Sequence, residues 1–572
     1  MKTVLRYLKP FRGRMLIGFL IKVAGTLVEL LIPLILSHIL KNVVDSENLR
    51  LIITWGILMI LCAATACLCN IIANRMAARV SRNFSETMRR ELFSHTLRLS
   101  AAQTDHFTIP SLESRITTDT YHVHHFVGMM QRMGVRAPIL LIGGISITLF
   151  MDPLLATVMI AVLPFIFVTV YFISRKGVPL YSKVQKSVDR MVRIVREDTQ
   201  GIRVIKALSK NDYENRRYDS ANTQLSHDER HVGTIMGAVN PIMTLLMNCG
   251  ITAVVAWSAY LVAGHRSDPE TVIAFMQYFT LISMAMMTVS RIFVMYTKCA
   301  ASARRIAEVI EAPEEITVRQ DIAPIKTDAH ITFDHVSFSY TGKHKHLSDI
   351  DFTLPQGGNL GIIGATGSGK STLIRLLLRF YDVTEGHIRI DGKDIRTIKR
   401  DKLASLFGVA LQNDFLYADT IRENIDFGRN LTEEEMIRAA KIAQAHDFIS
   451  SFPEGYDHML ASKATNLSGG QKQRILIARA IAARPDILIL DDSSSALDYK
   501  TDANLRRALR EEMKDTTVIT VAQRVSSVMH CDLILVLENG AVIGSGTHEE
   551  LMRSCPSYKE INDSQMGGAF VE

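Results

Sequence analysis

The sequence predicts a multidomain chain, an all-α membrane domain of six helices followed by an α/β domain. Two observations carry this. Six stretches before residue 297 are apolar for about 20 residues, enough for a helix to cross a bilayer. Beyond residue 330 such runs stop, and short strand-type runs occur beside helical ones. At 572 residues the chain is too long for one domain on ordinary priors. Its 48% hydrophobic and 22% charged residues average two unlike halves. The boundaries read as a membrane domain over 1–311, a linker over 312–328 and a second domain over 329–572.

The expected spans are Met15–Leu40, Leu51–Asn74, Met133–Met151, Leu154–Ser174, Ile235–Ala263 and Thr271–Tyr296. Links after the first, third and fifth are short: Lys41–Arg50, Asp152-Pro153 and Gly264–Glu270. The links 75–132 and 175–234 are long and rich in Arg and Lys, and the N-terminus carries Arg6, Lys9, Arg12 and Arg14. Positive segments stay cytoplasmic, so the N-terminus, both long links and the second domain are expected there, in a multi-pass protein of the cell membrane. The net charge of +7 reads as membrane orientation and not as nucleic-acid binding. Helical spacing in Met88–Leu99 and Val188–Val195 extends the spans into the cytoplasm. Lys22 and Glu29 lie within the first span, seven residues apart on one helix face, and are candidates for function or for passive lining. Eight methionines cluster between Met236 and Met295, as gap-fillers or as an adaptable surface. The seven cysteines show no metal-ligand spacing and are expected as buried free thiols. No cleavable signal peptide is expected, because the first apolar run is long enough to span.

In the second half, Gly364-Ala365-Thr366-Gly367-Ser368-Gly369-Lys370-Ser371 fits the phosphate-binding loop pattern. The strand-like Asn359–Ile363 precedes it, and a helix opens at Thr372. Glycines let backbone N–H groups converge on a phosphate, and the helix adds its positive end. Lys370 would reach the β- and γ-phosphates, and Ser371 would hold Mg²⁺. Ile487–Asp491 reads as a buried strand ending in an acid that also serves Mg²⁺. Tyr340 ends a strand where an aromatic ring could stack on a base. Ser468-Gly469-Gly470-Gln471 opens a helix at Lys472–Ala483 and offers a second anion site. One nucleotide does not need both sites, which suggests two such domains enclosing it.

Leu467–Gln471 between a Walker A loop and an Asp-terminated strand resembles the signature of ABC ATPases. With six spans before it, the chain resembles a half-transporter of the ABC exporter family over essentially its whole length. The resemblance implies an ABC nucleotide-binding domain that uses ATP and Mg²⁺. Tyr340 then matches the A-loop aromatic, and Gly364–Ser371 with Thr372 the Walker A motif. Gln412 matches the Q-loop, a Mg²⁺ contact with Ser371 and Asp491. Ser468, Gly469, Gly470 and Gln471 match the signature, and Ser495–Asp498 the D-loop. Segments near Gln103–Pro110 and Asn211–Asp219 resemble the two coupling helices. In this family two ATPase domains close head to tail, each ATP lying between one Walker A and the other domain's signature.

Two positions depart from the family. The catalytic Glu after the Walker B acid is Asp492, and the switch His is Gln523. A carboxylate one methylene shorter is displaced by about 1 Å, which can cost ~10²-fold in rate. Gln carries no titratable proton. Before the signature, Ser462–Asn466 replaces the usual Glu-Arg-Gly. The pattern resembles the degenerate subunit of a heterodimeric exporter, with a second half-transporter and the lipid bilayer as partners and an amphipathic drug- or lipid-like compound as cargo. A homodimeric lipid or peptide exporter, and a membrane regulator that binds ATP without pumping, remain open.

Overall fold

The computed structural model describes residues 5–44, 48–263, 269–313, 316–412, 414–493 and 495–566. The chain divides into two compact units, Met1–Arg98 with Phe107–Ala312, and Leu99–His106 with Pro313–Glu572.

The first unit is helical: α1 (Arg12–His38), α2 (Leu49–Arg98), α4 (Thr120–Met151), α5 (Pro153–Gln200), α6 (Ile202–Ala207), α7 (Asn211–Gly237), α8 (Val239–Ala263) and α9 (Pro269–Ile310). The short α3 (Ala101–Phe107) falls between α2 and α4 in sequence, and its residues up to His106 group with the second unit. Among the described residues five helical runs are long and apolar enough to cross a membrane. The expected fourth span, Leu154–Ser174, lies wholly within the continuous helix α5, whose described apolar stretch is Pro153–Thr169. The 50 residues of α2 make a helix about 75 Å long, far more than a hydrocarbon core of about 30 Å. Both expected extensions, Met88–Leu99 up to Arg98 and Val188–Val195, are continuous helix. The proline at 153 follows Asp152, whose carboxylate caps α5 by accepting from the N–H groups of Leu154 and Leu155 at 2.9 and 3.2 Å. The links 41–50 and 264–270 are described only in part: residues 45–47 and 264–268 lie outside.

Packing in this unit centres on Leu30, Leu140, Met159, Tyr278, Phe279 and Ile282. The Tyr278 hydroxyl donates to the Leu30 carbonyl at 2.5 Å. A Cβ on Gly144 would lie 2.8 Å from Ile282 Cγ1, so α4 and α9 approach closely there. Leu16, Phe19, Phe150, Phe165 and Phe293 face outward, which suits lipid and not water. The two candidate charges of α1 have separate partners. Buried Lys22 donates to Asn70 and Asn74 of α2 at 2.6 and 3.2 Å. Glu29 takes a two-pronged bond from Arg136 of α4, at 3.1 and 2.5 Å. Neither is a free lining group; each ties α1 to a neighbour. Met243, Met247, Met286 and Met287 pack in the core, whereas Met276 and Met284 face outward. The cysteine expectation is corrected: all are free, but Cys67 and Cys249 are exposed, because they lie on outward faces of apolar helices.

The second unit holds two sheets. The strands β1 (Ala329–Phe338), β2 (Leu347–Pro355), β4 (Glu385–Ile390) and β5 (Lys393–Asp394) form an antiparallel sheet in the order β2-β1-β4-β5. The six-stranded sheet runs β10-β9-β3-β8-β7-β6, from β3 (Asn359–Gly364), β6 (Phe407–Ala410), β7 (Ile487–Asp491), β8 (Thr517–Val521), β9 (Leu533–Glu538) and β10 (Ala541–Gly546). All its pairings are parallel except β9 with β10. Parallel strands are buried on both faces, and β7 is buried at every residue. Its central strands β3, β7 and β8 present their ends together, so loops after three separate strands meet at one place. The segment around 319–325 runs along the antiparallel sheet, bonding Arg319 N–H to Arg396 and Ile325 N–H to Gly392 at 2.9 Å each.

Candidate nucleotide site

The loop after β3 turns on its glycines. Gly367 and Gly369 adopt φ of +85° and +107°, values that side chains oppose. A Cβ on Gly369 would also lie 2.7 Å from Leu347 Cδ2. Gly369 is the N-cap of α10 (Lys370–Leu377), so the loop feeds directly into a positive helix end. Within the loop, Lys370 Nζ donates to the carbonyls of Gly364 and Ala365 at 2.7 and 2.8 Å. Burial pulls the Lys370 ammonium below its ordinary pKa, although Asp492 and Asp491 oppose that.

Gly367, Gly369, Lys370, Ser371, Thr366, Thr372, Gln412, Asp491, Asp492 and Gln523 all line one cavity of about 410 Å³. The fold therefore gathers residues from the β3 loop, the segment after β6, the end of β7 and the end of β8. Ser371 and Asp491 line the cavity together. Burial and the neighbouring Asp492 push Asp491 above the usual carboxylate range, with Ser371 and Lys370 opposing. Burial likewise raises Asp492. Asp492 Oδ2 accepts from Gln412 Nε2 and from Gln523 Nε2, both at 3.1 Å. Asp492 has φ +52°, a left-handed conformation that Asp and Asn adopt more readily than other side chains.

The residues fit a magnesium nucleotide. The Ser368 hydroxyl oxygen is buried without a partner among the described residues, inside a loop whose backbone is shaped for an anion. Ser371, Gln412 and Asp491 supply the oxygen donors that a hard cation takes.

Tyr340 is placed beside this cavity. Its hydroxyl lies 3.4 Å from Thr372 Oγ1 and from Arg375 Nη1, and its ring meets Phe338, His346 and Tyr381 edge-on at 4.8–5.0 Å between centroids. Tyr381 in turn donates to Asp105 of α3, within the first coupling-type segment. The second such segment, Asn211–Asp219, forms the opening turns of α7 and not a free-standing short helix.

The signature residues lie apart from this cavity. Ser468 caps α13 (Gly469–Ala482): its oxygen accepts from Gln471 N–H at 3.3 Å, and Gln471 Oε1 accepts from Ser468 N–H at 2.9 Å. The helices Ile421–Asp426 (α11) and Glu433–Ile442 (α12) pack against α13 around Ile425, Met436, Ala440 and Ile477. Within one chain the P-loop and the signature residues lie in separate places. The D-loop continues from Asp492, whose carbonyl accepts from Ser495 Oγ at 2.9 Å, and ends at Asp498, which caps α14 (Tyr499–Glu512).

Lys345, His346 and Asn539 also line the cavity and carry no motif. Nor does Gln565 on the C-terminal helix Pro556–Met566. It donates to the Gln523 carbonyl and accepts from Val525 N–H, both at 2.8 Å, and so braces the segment after β8 on both sides of Arg524.

The comparisons agree with this geometry. Residues 15–286 match the family described as ABC transporter transmembrane region, and 347–495 match ABC transporter. An uncharacterised ABC transporter ATP-binding protein of Bacillus subtilis, YfiB, is 34% identical over 569 residues, covering 99% of each chain. One of Mycobacterium tuberculosis is 31% identical over 574 residues, 99% of this chain and 98% of its own. The solved structure of a bacterial Atm1-family ABC exporter with ATP bound shares the fold at a TM-score of 0.82, with 24% identity, over 98% of this chain and 99% of that one. An α-helical membrane unit joined to a P-loop ATPase unit, and relatives alike from end to end, lead to one conclusion: the chain belongs to the ABC transporter family, as an exporter-type half-transporter that spans a membrane and hydrolyses ATP to drive transport.

Proposed function

We propose that this chain is the degenerate-site half of a heterodimeric exporter of amphipathic, drug- or lipid-like compounds across the cytoplasmic membrane. Its own site binds ATP and hydrolyses it slowly, while its signature completes the productive site of a second half-transporter. The observation that carries this is Asp492: a short carboxylate tied to two amides, Gln412 and Gln523.

Binding and hydrolysis need different groups. For binding, the loop Gly364–Ser371 cradles the phosphates, Lys370 faces the β- and γ-phosphates, Tyr340 stacks on the base, and Thr372 closes the helix end. Ser371, Gln412 and Asp491 would hold Mg²⁺, which when bound neutralises charge on the phosphate oxygens. Hydrolysis also needs a water aligned for attack. The Asp492 carboxylate ends one methylene short of where a Glu would reach, and Gln523 offers an amide that gains no charge as the γ-phosphate moves. Ser468, Gly469, Gly470 and Gln471 meet the other half-transporter's nucleotide, and the unused hydroxyl hydrogen of the capping Ser468 can still donate to it. Domain limits of 1–311, 312–328 and 329–572, with the N-terminus and ATPase domain in the cytoplasm, belong to the same reading.

For cargo, support comes from a Staphylococcus aureus relative named for multidrug export, 31% identical over 99% of this chain, and from the outward apolar surface of the membrane unit. The test is purification from native membranes through a tag on this chain, followed by reconstitution. The expected result is a second half-transporter bearing Glu and His at the matching positions, and ATP-driven movement of a fluorescent amphiphile. Recovery of this chain alone as an active homodimer would refute the heterodimer.

A further inference from the structure

The membrane unit contains a second cavity, of about 500 Å³, unrelated to the nucleotide site. Its wall is almost wholly apolar, formed by Leu16, Phe19, Ala77, Phe84, Val127 and Met130 among others, with Leu5 and Leu8 of the N-terminal segment across one side. The polar groups on it are Arg12 and Gln131. Arg12 is exposed, its guanidinium makes no hydrogen bond or ion pair among the described residues, and no carboxylate among them lines the cavity.

The cavity has a direction. α1 and α2 run antiparallel, and Gly18 of α1 faces Met76 of α2. Arg12 therefore lies at the level of the α2 extension near Phe84, beyond the apolar span. Phe19, Ala73 and Val135 lie at the membrane end. One end of the space is basic and exposed, and the other is apolar and lies along the apolar span of α1. Arg6, Lys9, Arg12 and Arg14 are all exposed around the basic end. A cluster of four basic residues directly before a transmembrane helix attracts acidic lipid headgroups.

We propose that this cavity holds one acidic phospholipid of the cytoplasmic leaflet, its acyl chain against Phe19 and Met130 and its phosphate on Arg12. The proposal rests on the reading that residues 1–14 face the cytoplasm. Acyl chain and phosphate together match the two ends of the cavity, which a wholly apolar or a cationic occupant would not.

The probe is Phe19→Trp in the full-length chain with Trp55 and Trp257 replaced by Phe. The protein is placed in phosphatidylcholine nanodiscs containing one of two brominated quenchers, phosphatidylglycerol or phosphatidylcholine. The expected result is quenching at about fivefold lower mole fraction for phosphatidylglycerol, the worth of one basic residue at a lipid surface. Arg12→Glu abolishes the preference, Arg12→Lys keeps it, and Ala77→Phe, which fills the cavity, weakens quenching by the acidic lipid. Equal quenching by both lipids, or a preference that survives Arg12→Glu, overturns the proposal. So does stronger quenching by a brominated cationic amphiphile, which would make the cavity a cargo site. A nanodisc offers lipid in both leaflets, so these outcomes do not depend on orientation. An N-terminal epitope reached only in permeabilised cells tests the topology separately.

Discussion

Replacing Asp492 by Asn separates a working site from a degenerate one. The change removes one negative charge beside Asp491 and Lys370 but keeps the side-chain shape. It adds no backbone strain, since Asn tolerates the φ of +52° as Asp does. Gln412 and Gln523 can each rotate an amide to bond the new side chain, so the 3.1 Å contacts survive in altered form. If the short carboxylate already lowers this site's rate by ~10²-fold, the site supplies about 1% of the assembly's turnover. Asp492→Asn should then leave the ATPase rate of the reconstituted heterodimer unchanged within error. The converse change, Asp492→Glu with Gln523→His, should raise turnover at this site by up to ~10²-fold. It must be read with the catalytic carboxylate of the second half-transporter neutralised, so that only this site contributes. The gain is reduced by the backbone, because Glu in a left-handed conformation costs about 1 kcal/mol more than Asp. An assembly in which Asp492→Asn alone stops turnover would make this site catalytic and refute the argument.

Lys370→Ala removes the ammonium from the loop and should weaken labelled-ATP binding at this site at least tenfold, measured with the other nucleotide site disabled; unchanged affinity would remove the loop from the site. Gly469→Asp should block hydrolysis while ATP binding at Lys370 persists. A Cβ there meets nothing nearer than Ala496 Cβ at 4.0 Å, so the fold accommodates it, and a carboxylate at a helix N-terminus repels an approaching phosphate. Asp394→Asn should destabilise the ATPase unit by about 3 kcal/mol, read as its calorimetric transition in the full-length chain. Burial raises the Asp394 carboxyl, but Arg396 and His387, bonding it at 2.7 Å each, more than offset that and hold it below the ordinary value. A depressed folded-state pKa gives stability that is present above the unfolded value near 4 and lost as pH falls through the folded one. The parent transition should thus drop more steeply than that of Asp394→Asn below about pH 4.

The nucleotide site was legible where chemistry demands consecutive residues. Gly367, Gly369, Lys370 and Ser371 are neighbours because one turn and one helix start make the phosphate cradle. Asp491 was legible because a buried strand rarely ends in an acid without cause. Tyr381, His346 and Gln565 were not legible. Each is an ordinary residue in sequence, and sheet order or the C-terminal helix alone brings it to the site. The membrane half showed a similar limit. Hydropathy located the spans, but the pairing of Glu29 with Arg136, 107 residues apart, follows from which helices pack together. Lys22 likewise looked functional by depth, and its two Asn partners on α2 make it an interhelical tie.

The separation of the P-loop cavity from the signature helix within one chain bears on how the proposed degeneracy can be tolerated. The cavity gathers its groups from β3, β6, β7 and β8, while Ser468 and Gln471 are committed to capping α13 elsewhere. A change at Asp492 or Gln523 therefore leaves the signature helix untouched, since its buried residues Ile475, Leu476 and Ile477 pack among α11 and α12. In the proposed heterodimer two ATPase domains face head to tail and hold two sites, each built half from one chain and half from the other. Loss of the hydrolytic groups in one chain then disables one site and spares the second, provided that chain keeps its signature. This sequence keeps Ser468, Gly469, Gly470 and Gln471 intact while Asp492 and Gln523 stand where Glu and His are usual. On the proposed reading, that combination belongs to a chain whose partner performs the hydrolysis.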